Sequence, residues 1–257
     1  MNTGPIPKLG SGFFLKPSLL PMTTIVLHPS LKTVLLSATL FSSPLFLTAA
    51  ETIAPILFAD NFTHSLEQWS AEQMPGGRIA VEQGSLVIED AGGTTLWFRS
   101  RLHAPIEINY EVEVVVRGGA HDRLSDLNCF WMAQDPTQPD GALPTGRSGR
   151  FKDYDNLLTY YVGYGGNNNT TTRFRRYDGT SERPLLPAHD LRSPHFLLKA
   201  NHVYQIKLVA RGELVEFWRD GEKIFSHHDP QPLSSGYFGF RTVRSHLVIK
   251  NFTIHHP

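Results

Sequence analysis

Between Ile106 and Val116 the chain alternates, broken only by Val115: Ile108, Tyr110, Val112, Val114 and Val116 are apolar, and Asn109, Glu111 and Glu113 stand between them. A period of two puts one set of side chains on each face of an extended strand, so this run reads as a strand with one buried and one wet face. Shorter runs of the same kind recur. They are Phe58 to Phe62, Gly84 to Ile88, Trp97 to Leu102, Leu127 to Ala133, Leu157 to Tyr164, Thr170 to Tyr177, Tyr204 to Ala210, Leu214 to Arg219, Lys223 to Ser226, Tyr237 to Thr242 and Leu247 to Ile254. Gly, Asn, Asp and Pro separate them, and Asp220-Gly221 is a strong tight-turn signal. Short strands at this spacing, with no long helical pattern, predict an all-β antiparallel sandwich or barrel. Pro136 to Tyr154 breaks the rhythm. A loop of that length in a compact domain is usually functional or mobile.

The N-terminal fifty residues are of another kind. Before Glu51 the formal charges are Lys8, Lys16 and Lys32, and Thr33 to Leu47 is almost wholly apolar or small, ending at Thr48-Ala49-Ala50. This describes a secretory signal peptide within residues 1–50, cleaved near Ala50, with Met1 or Met22 as the start. The stretch is too short and too broken by Ser42, Ser43 and Pro44 for a good membrane span. The mature chain, residues 51–257, suits one domain and is expected in the periplasm, at the cell surface or in the medium, with no membrane span. It keeps 21 basic against 24 acidic residues, a balance of −3 that provides no basic field for nucleic acid. Cys129 is the single cysteine, so no intrachain disulfide forms and no cysteine-based zinc site exists.

Two resemblances narrow this reading. Val215 to Lys223, Asp229 to Leu233, Gly236 to Thr242 and Ile249 to Ile254 resemble the closing strands of concanavalin A-like lectin/glucanase domains. That implies a two-sheet jelly roll, a shape and not a reaction. Asn128 to Ala133, Tyr160 to Asn167 and Thr170 to Tyr177 resemble the bacterial family known as domain of unknown function 6250. By association this implies a role in polysaccharide degradation, with no catalytic residues to carry over.

For chemistry, the hairpin from Tyr160 to Tyr177 stands out. Alternation groups Tyr160 with Tyr164, and Arg173 with Arg175 and Tyr177. Guanidinium grips carboxylate or sulfate in bidentate fashion, and aromatic rings stack on sugar faces. The expected ligand is therefore an acidic polysaccharide or oligosaccharide, bound in a groove lined by Asn128, Trp131, Tyr164, Arg175, Tyr177 and Arg241. Phe238 and Phe240, opposite in parity to Arg241, are expected in the core. For Trp131 a core position, leaving Asn128 on the groove, is an equal alternative. If the protein is catalytic, β-elimination needs a cation to neutralise a uronate and a Tyr or His to move the proton, roles open to Arg173, Tyr160 and His246. Hydrolysis needs two flanking carboxylates, for which Glu111 with Glu113 and Asp153 with Asp155 are the pairs at hand. A non-catalytic glycan-binding module stays open beside both. The twelve histidines are scattered and lack metal-ligand spacing. No cofactor is expected, although a structural calcium on the Asp/Asn loops is compatible with the sequence.

Overall fold

The computed structural model describes residues 55–142 and 146–257. The leader assigned to residues 1–50 lies outside the described residues. Sixteen strands run in chain order: β1 Ile56–Asp60, β2 Trp69–Gln73, β3 Arg78–Glu82, β4 Ser85–Glu89, β5 Thr94–Phe98, β6 Leu102–His103, β7 Ile106–Val114 and β8 Leu127–Gln134. The second half follows with β9 Leu158–Gly165, β10 Thr171–Asp178, β11 Asp190–Leu191, β12 Val203–Arg211, β13 Leu214–Arg219, β14 Glu222–His228, β15 Ser235–Thr242 and β16 His246–His255. All pair antiparallel in two eight-stranded sheets. Sheet 1 has the order β14-β13-β12-β7-β16-β4-β3, with β1 on β16; sheet 2 has β11-β10-β9-β8-β15-β5-β2, with β6 on β15. The first strand thus packs beside the last. Among the described residues no helix is long and apolar enough to cross a membrane.

The main core lies between the sheets. Sheet 1 contributes Ile108, Tyr110, Val112 and Val114 of β7, the apolar half of the alternating run, together with Leu247, Ile249, Phe252 and Ile254 of β16. Sheet 2 contributes Cys129, Trp131, Tyr160, Val162, Tyr164, Phe174, Phe238 and Phe240. Trp69 stacks on Phe240 at 5.3 Å between ring centroids and meets Phe252 edge-on at 5.0 Å, tying both sheets together. The Cys129 thiol is buried there and pushed up to about 12, an inert apolar filler.

Two bulges set local register. In β8 an extra residue sits between Trp131 and Gln134, with Met132 at φ 54°, so that Trp131 and Met132 both enter the core. In β16 an extra residue between Lys250 and Thr253 puts Asn251 at φ 52° on the solvent side. The turn joining β9 to β10 is left-handed at Asn167, Asn168 and Asn169, a conformation that Asn tolerates better than most side chains.

Candidate functional site: the outer face of sheet 2

Sheet 2 is buried on both sides. Across its outer face, register aligns two rows. One runs Glu72, Thr95, Arg241, Asn128, Gly163, Arg173 and Asp190; the other runs Ser70, Trp97, Gly239, Phe130, Tyr161 and Arg175. The aromatic members join Tyr154, Leu157, Tyr177 and Tyr237 in a second hydrophobic cluster, separate from the inter-sheet core. Gly239 is needed beneath Trp97, because a Cβ there would come within 2.6 Å of the indole.

Residues 146–157 lie over these rows. Tyr154, in the short turn Phe151–Tyr154, stacks on Phe130 at 5.6 Å, and Phe151 packs on Tyr161 at 5.5 Å. Polar contacts pin the segment down. The Arg147 amide donates to Glu72 Oε1 at 3.0 Å, while Trp97 Nε1 donates to Glu72 Oε2 at 2.9 Å. Arg147 also forms an ion pair with Asp135. Gly149, at φ 92°, meets Gly93 backbone to backbone, and a Cβ on Gly149 would fall 2.5 Å from the Gly93 carbonyl oxygen. Much of the segment that broke the strand rhythm in the sequence thus covers this face.

Beneath this cover sits Arg241, 1% exposed. Its Nη1 donates to the Gly149 carbonyl at 2.7 Å and to Thr95 Oγ1 at 3.2 Å. Its guanidinium carbon stands 5.1 Å from the Tyr154 ring centroid and 5.4 Å from that of Phe151. Among the described residues Nε and Nη2 have no partner. Burial lowers its pKa against the pull of nearby groups, Asp90 and Asp126 among them. Those two carboxylates are committed elsewhere: Asp90 accepts from the Gly93 amide, Thr94 and the Arg244 amide, and Asp126 pairs with Arg123 at 3.1 Å. Beside Arg241, Asn128 is buried with its Oδ1 unpartnered, and the hydroxyls of Tyr154 and Tyr177 are also unsatisfied. A buried cation without a counter-ion, amid unsatisfied polar atoms, is a costly arrangement that an anionic ligand would relieve.

The half-buried margin of this face is cationic too. Arg173 holds Asp190 through Nε at 2.9 Å and Nη2 at 3.2 Å. Among the described residues Arg175 donates only to the Arg183 carbonyl, and burial lowers its pKa, with like charge from Arg173 and Arg183 adding to the effect. Among the described residues neither Arg175 nor Arg241 has a carboxylate within ion-pair distance.

Three candidate site residues belong to the inter-sheet core: Tyr164 and Tyr160, against expectation, and Trp131 in the position left open to it. Trp131, Tyr160 and Tyr164 face sheet 1, because their parity is that of Cys129, Val162 and Phe174. The Tyr160 hydroxyl donates to Asp229 Oδ2 at 2.8 Å and accepts from the Leu233 amide at 3.0 Å, and burial raises its pKa. The Tyr164 hydroxyl accepts from Arg219 at 3.3 Å. Asn128, Arg173, Arg175, Tyr177 and Arg241 do share one face, as grouped. His246 stands on the other sheet, at the outward parity opposite Leu247, where Nδ1 meets Asp122 Oδ1 at 2.9 Å. Burial alone would raise the Asp122 pKa; amides of Arg117 and Gly119 and the His246 ring bring it down to about 2. The three residues proposed for elimination therefore occupy three environments. The carboxylate pairs fare similarly. Glu111 and Glu113 lie on the outer side of sheet 1, Asp153 accepts from Ser148 within the cover, and Asp155 pairs with Arg183. No group of three or more His, Cys, Asp or Glu among the described residues is placed to hold a metal ion.

Sequence reasoning missed Trp97, Phe130, Tyr161 and the covering Phe151 and Tyr154. The available signal was the strand Tyr160-Tyr161-Val162-Gly163-Tyr164, which is aromatic on both parities and so calls for a second covering layer.

Comparison with known proteins agrees with this architecture. The family model described as domain of unknown function (DUF6250) matches residues 88–252. A protein of unknown function with a galectin-like fold from Bacillus subtilis superposes with a TM-score of 0.60 at 20% identity, covering 78% of this chain and 96% of that one. The endo-beta-1,3-glucanase of Pyrococcus furiosus gives 0.52 at 10% identity, covering 79% and 94%. The exoplasmic/lumenal domain of VIP36, bound to Ca2+ and Man3GlcNAc, gives 0.51 at 10% identity, covering 77% and 88%. At these identities the likeness establishes a jelly-roll sandwich. No curated protein matches the sequence.

Proposed function

The chain belongs to the family described as domain of unknown function DUF6250, and from that premise, which brings no activity with it, we propose that it is a glycan-binding β-sandwich. The outer face of sheet 2 takes an acidic sugar. The observation that carries this reading is Arg241: a guanidinium sealed from water, with two nitrogens unpartnered and no carboxylate at ion-pair distance among the described residues, on the same sheet face as Arg175, three strands away. A uronate carboxylate supplies the acceptor oxygens that Nε and Nη2 lack, in the side-on geometry that guanidinium favours. The Gly149 carbonyl and the rings of Phe151 and Tyr154 hold that place in the free protein, so the covering segment gives way as the sugar enters.

Binding rather than cleavage is favoured, because the groups proposed for elimination are dispersed. Tyr160 is committed to Asp229, and His246 lies on the opposite sheet. Export by the leader belongs to the same reading, and the N-terminal sequence of the secreted protein, expected to start near Glu51, checks it.

Affinity electrophoresis in native gels containing polygalacturonate tests the ligand class. Retardation is expected, weakening as salt screens the arginines. Arg175→Ala and Arg173→Ala are each expected to weaken it about tenfold, the loss of roughly one charge-assisted contact. Unchanged mobility in polygalacturonate, alginate and sulfated galactan alike would sink the reading.

A further inference from the structure

The other outer face, that of sheet 1, is open where the first is covered. Register there aligns Lys223, Trp218, Lys207, Asn109 and Thr253 in one row, and Gln205, Glu111 and Lys250 in the next. Between these rows runs a groove of about 350 Å³, lined in part by Trp218, Lys207, Asn109, Gln205, Glu111 and Asn251. The β16 bulge is what brings Asn251 to it. Of the four tryptophans, Trp69, Trp97 and Trp131 are buried; Trp218 alone is reached by solvent, and it belongs to neither hydrophobic cluster.

We propose that this groove is a second glycan subsite, for a neutral hexose ring of a polysaccharide chain. Three observations select that ligand. Trp218 Nε1 donates to Glu216 Oε2 at 2.9 Å, which fixes the indole and pre-sets its ring as a platform for the apolar C–H face of a sugar. Gln205, Glu111 and Asn251 line the groove, and none of their side chains makes a hydrogen bond or ion pair among the described residues. Amides and a carboxylate with spare donors and acceptors match the paired hydroxyls of a hexose. The charge is the third. Lys223 pairs with Glu216 at 3.0 Å, Lys207 approaches Glu107 at 3.9 Å and Lys250 stands opposite Glu111, so three lysines are balanced by three carboxylates and no surplus cation is left to hold a uronate. Lys207 and Lys223 stand 4.4 and 5.5 Å from the centroid of the indole ring. Both ammonium groups ride on partly exposed four-carbon stems and swing aside as a ring arrives.

This subsite does not depend on the acidic-sugar reading, since it uses the opposite surface of the sandwich. The test is iodide quenching of tryptophan fluorescence, with soluble galactomannan and β-1,3-glucan as neutral probes and polygalacturonate as the acidic one. Iodide is expected to quench Trp218, and a neutral chain is expected to protect it. In native gels Trp218→Ala, and separately Gln205→Ala with Asn251→Ala, are expected to weaken retardation by the protecting glycan about fivefold, or about 1 kcal/mol. Retardation by polygalacturonate is expected to be unchanged in the same variants. The proposal is overturned if neither neutral chain protects, if polygalacturonate alone protects, or if neutral retardation survives both sets of variants.

Discussion

On sheet 2 the outward positions carry Trp97, Phe130, Tyr161 and Tyr177 with Arg241 among them; on sheet 1 they carry Asn109, Glu111, Gln205 and Lys207 around Trp218. Both faces come from the same alternation, yet the first is roofed by residues 146–157 and the second meets water. Their charges differ in the same sense. Beneath the roof lies a cation without a counter-ion, whereas the lysines in the open have carboxylate neighbours. The comparison teaches that aromatic content does not mark the accessible surface of such a sandwich. Five aromatic side chains on one face, Tyr237 included, bought a cover; one on the other was left to meet solvent.

The largest test of this contrast removes the centre of the cover. Tyr154→Ala deletes a fully buried ring from between Trp97, Phe130 and Arg241, and a loss of about 3–5 kcal/mol is expected in denaturant titrations. Trp218→Ala, equally drastic in chemistry, is expected to cost about 1 kcal/mol or less, because the ring packs against lysine stems and not a core. Equal losses would break the distinction between covered and open faces.

Next in size is Gly149→Ala. It combines a left-handed backbone with a Cβ 2.5 Å from the Gly93 carbonyl oxygen, neither of which a flexible side chain can relieve. A loss of about 1–3 kcal/mol is expected, with faster proteolysis within residues 146–157 as the local readout. Arg241→Met sharpens the comparison from the other direction. If the buried guanidinium is held for a ligand, the apolar replacement should leave stability within about 1 kcal/mol while abolishing retardation in polygalacturonate. A loss of several kcal/mol with binding intact would make Arg241 a structural clamp on the cover instead.

The smallest expected effect lies away from both faces. His189 and His227 stand 5.5 Å apart beside Phe174 and Phe225, with Asp229, Arg176 and His228 near His227. Burial lowers both pKa values; the neighbouring His227 adds to the effect at His189, while Asp229 opposes it at His227. The unfolded chain therefore takes up protons first as pH falls through about 6.5, so this contribution is fully present above that pH and declines below it. Denaturation midpoints are expected to drop from pH 7.5 to pH 5.5, and less so in His189→Gln with His227→Gln. An identical drop in that double variant would remove these residues as the cause.

Much of the fold was legible beforehand. The alternating run became β7, Asp220-Gly221 turns β13 into β14, and Phe238 and Phe240 entered the core as their parity against Arg241 required. Strands β2 and β3 went unread, since Trp-Ser-Ala-Glu-Gln and Arg-Ile-Ala-Val-Glu are short and weakly patterned. The candidate face was half legible. Asn128, Arg173, Arg175, Tyr177 and Arg241 were grouped correctly and Trp131 took the core position left open to it, but Tyr160 and Tyr164 were set on the site when they belong to the core.

What the sequence by itself determined was therefore local and periodic. Strand alternation decides which residues share a face, and turn chemistry decides where the chain reverses; both act over a few bonds. Which face of β9 looks inward was decided only by the tertiary structure, because Tyr160 and Tyr161 are equally able to be buried. That choice depends on what arrives from far along the chain: sheet 1 against one side, residues 146–157 against the other. The same long-range packing stranded Arg241 without a counter-ion and left Trp218 in the open. Neither outcome has a signature within a strand, since solvent exclusion is a property of the layers that meet and not of the residues that alternate.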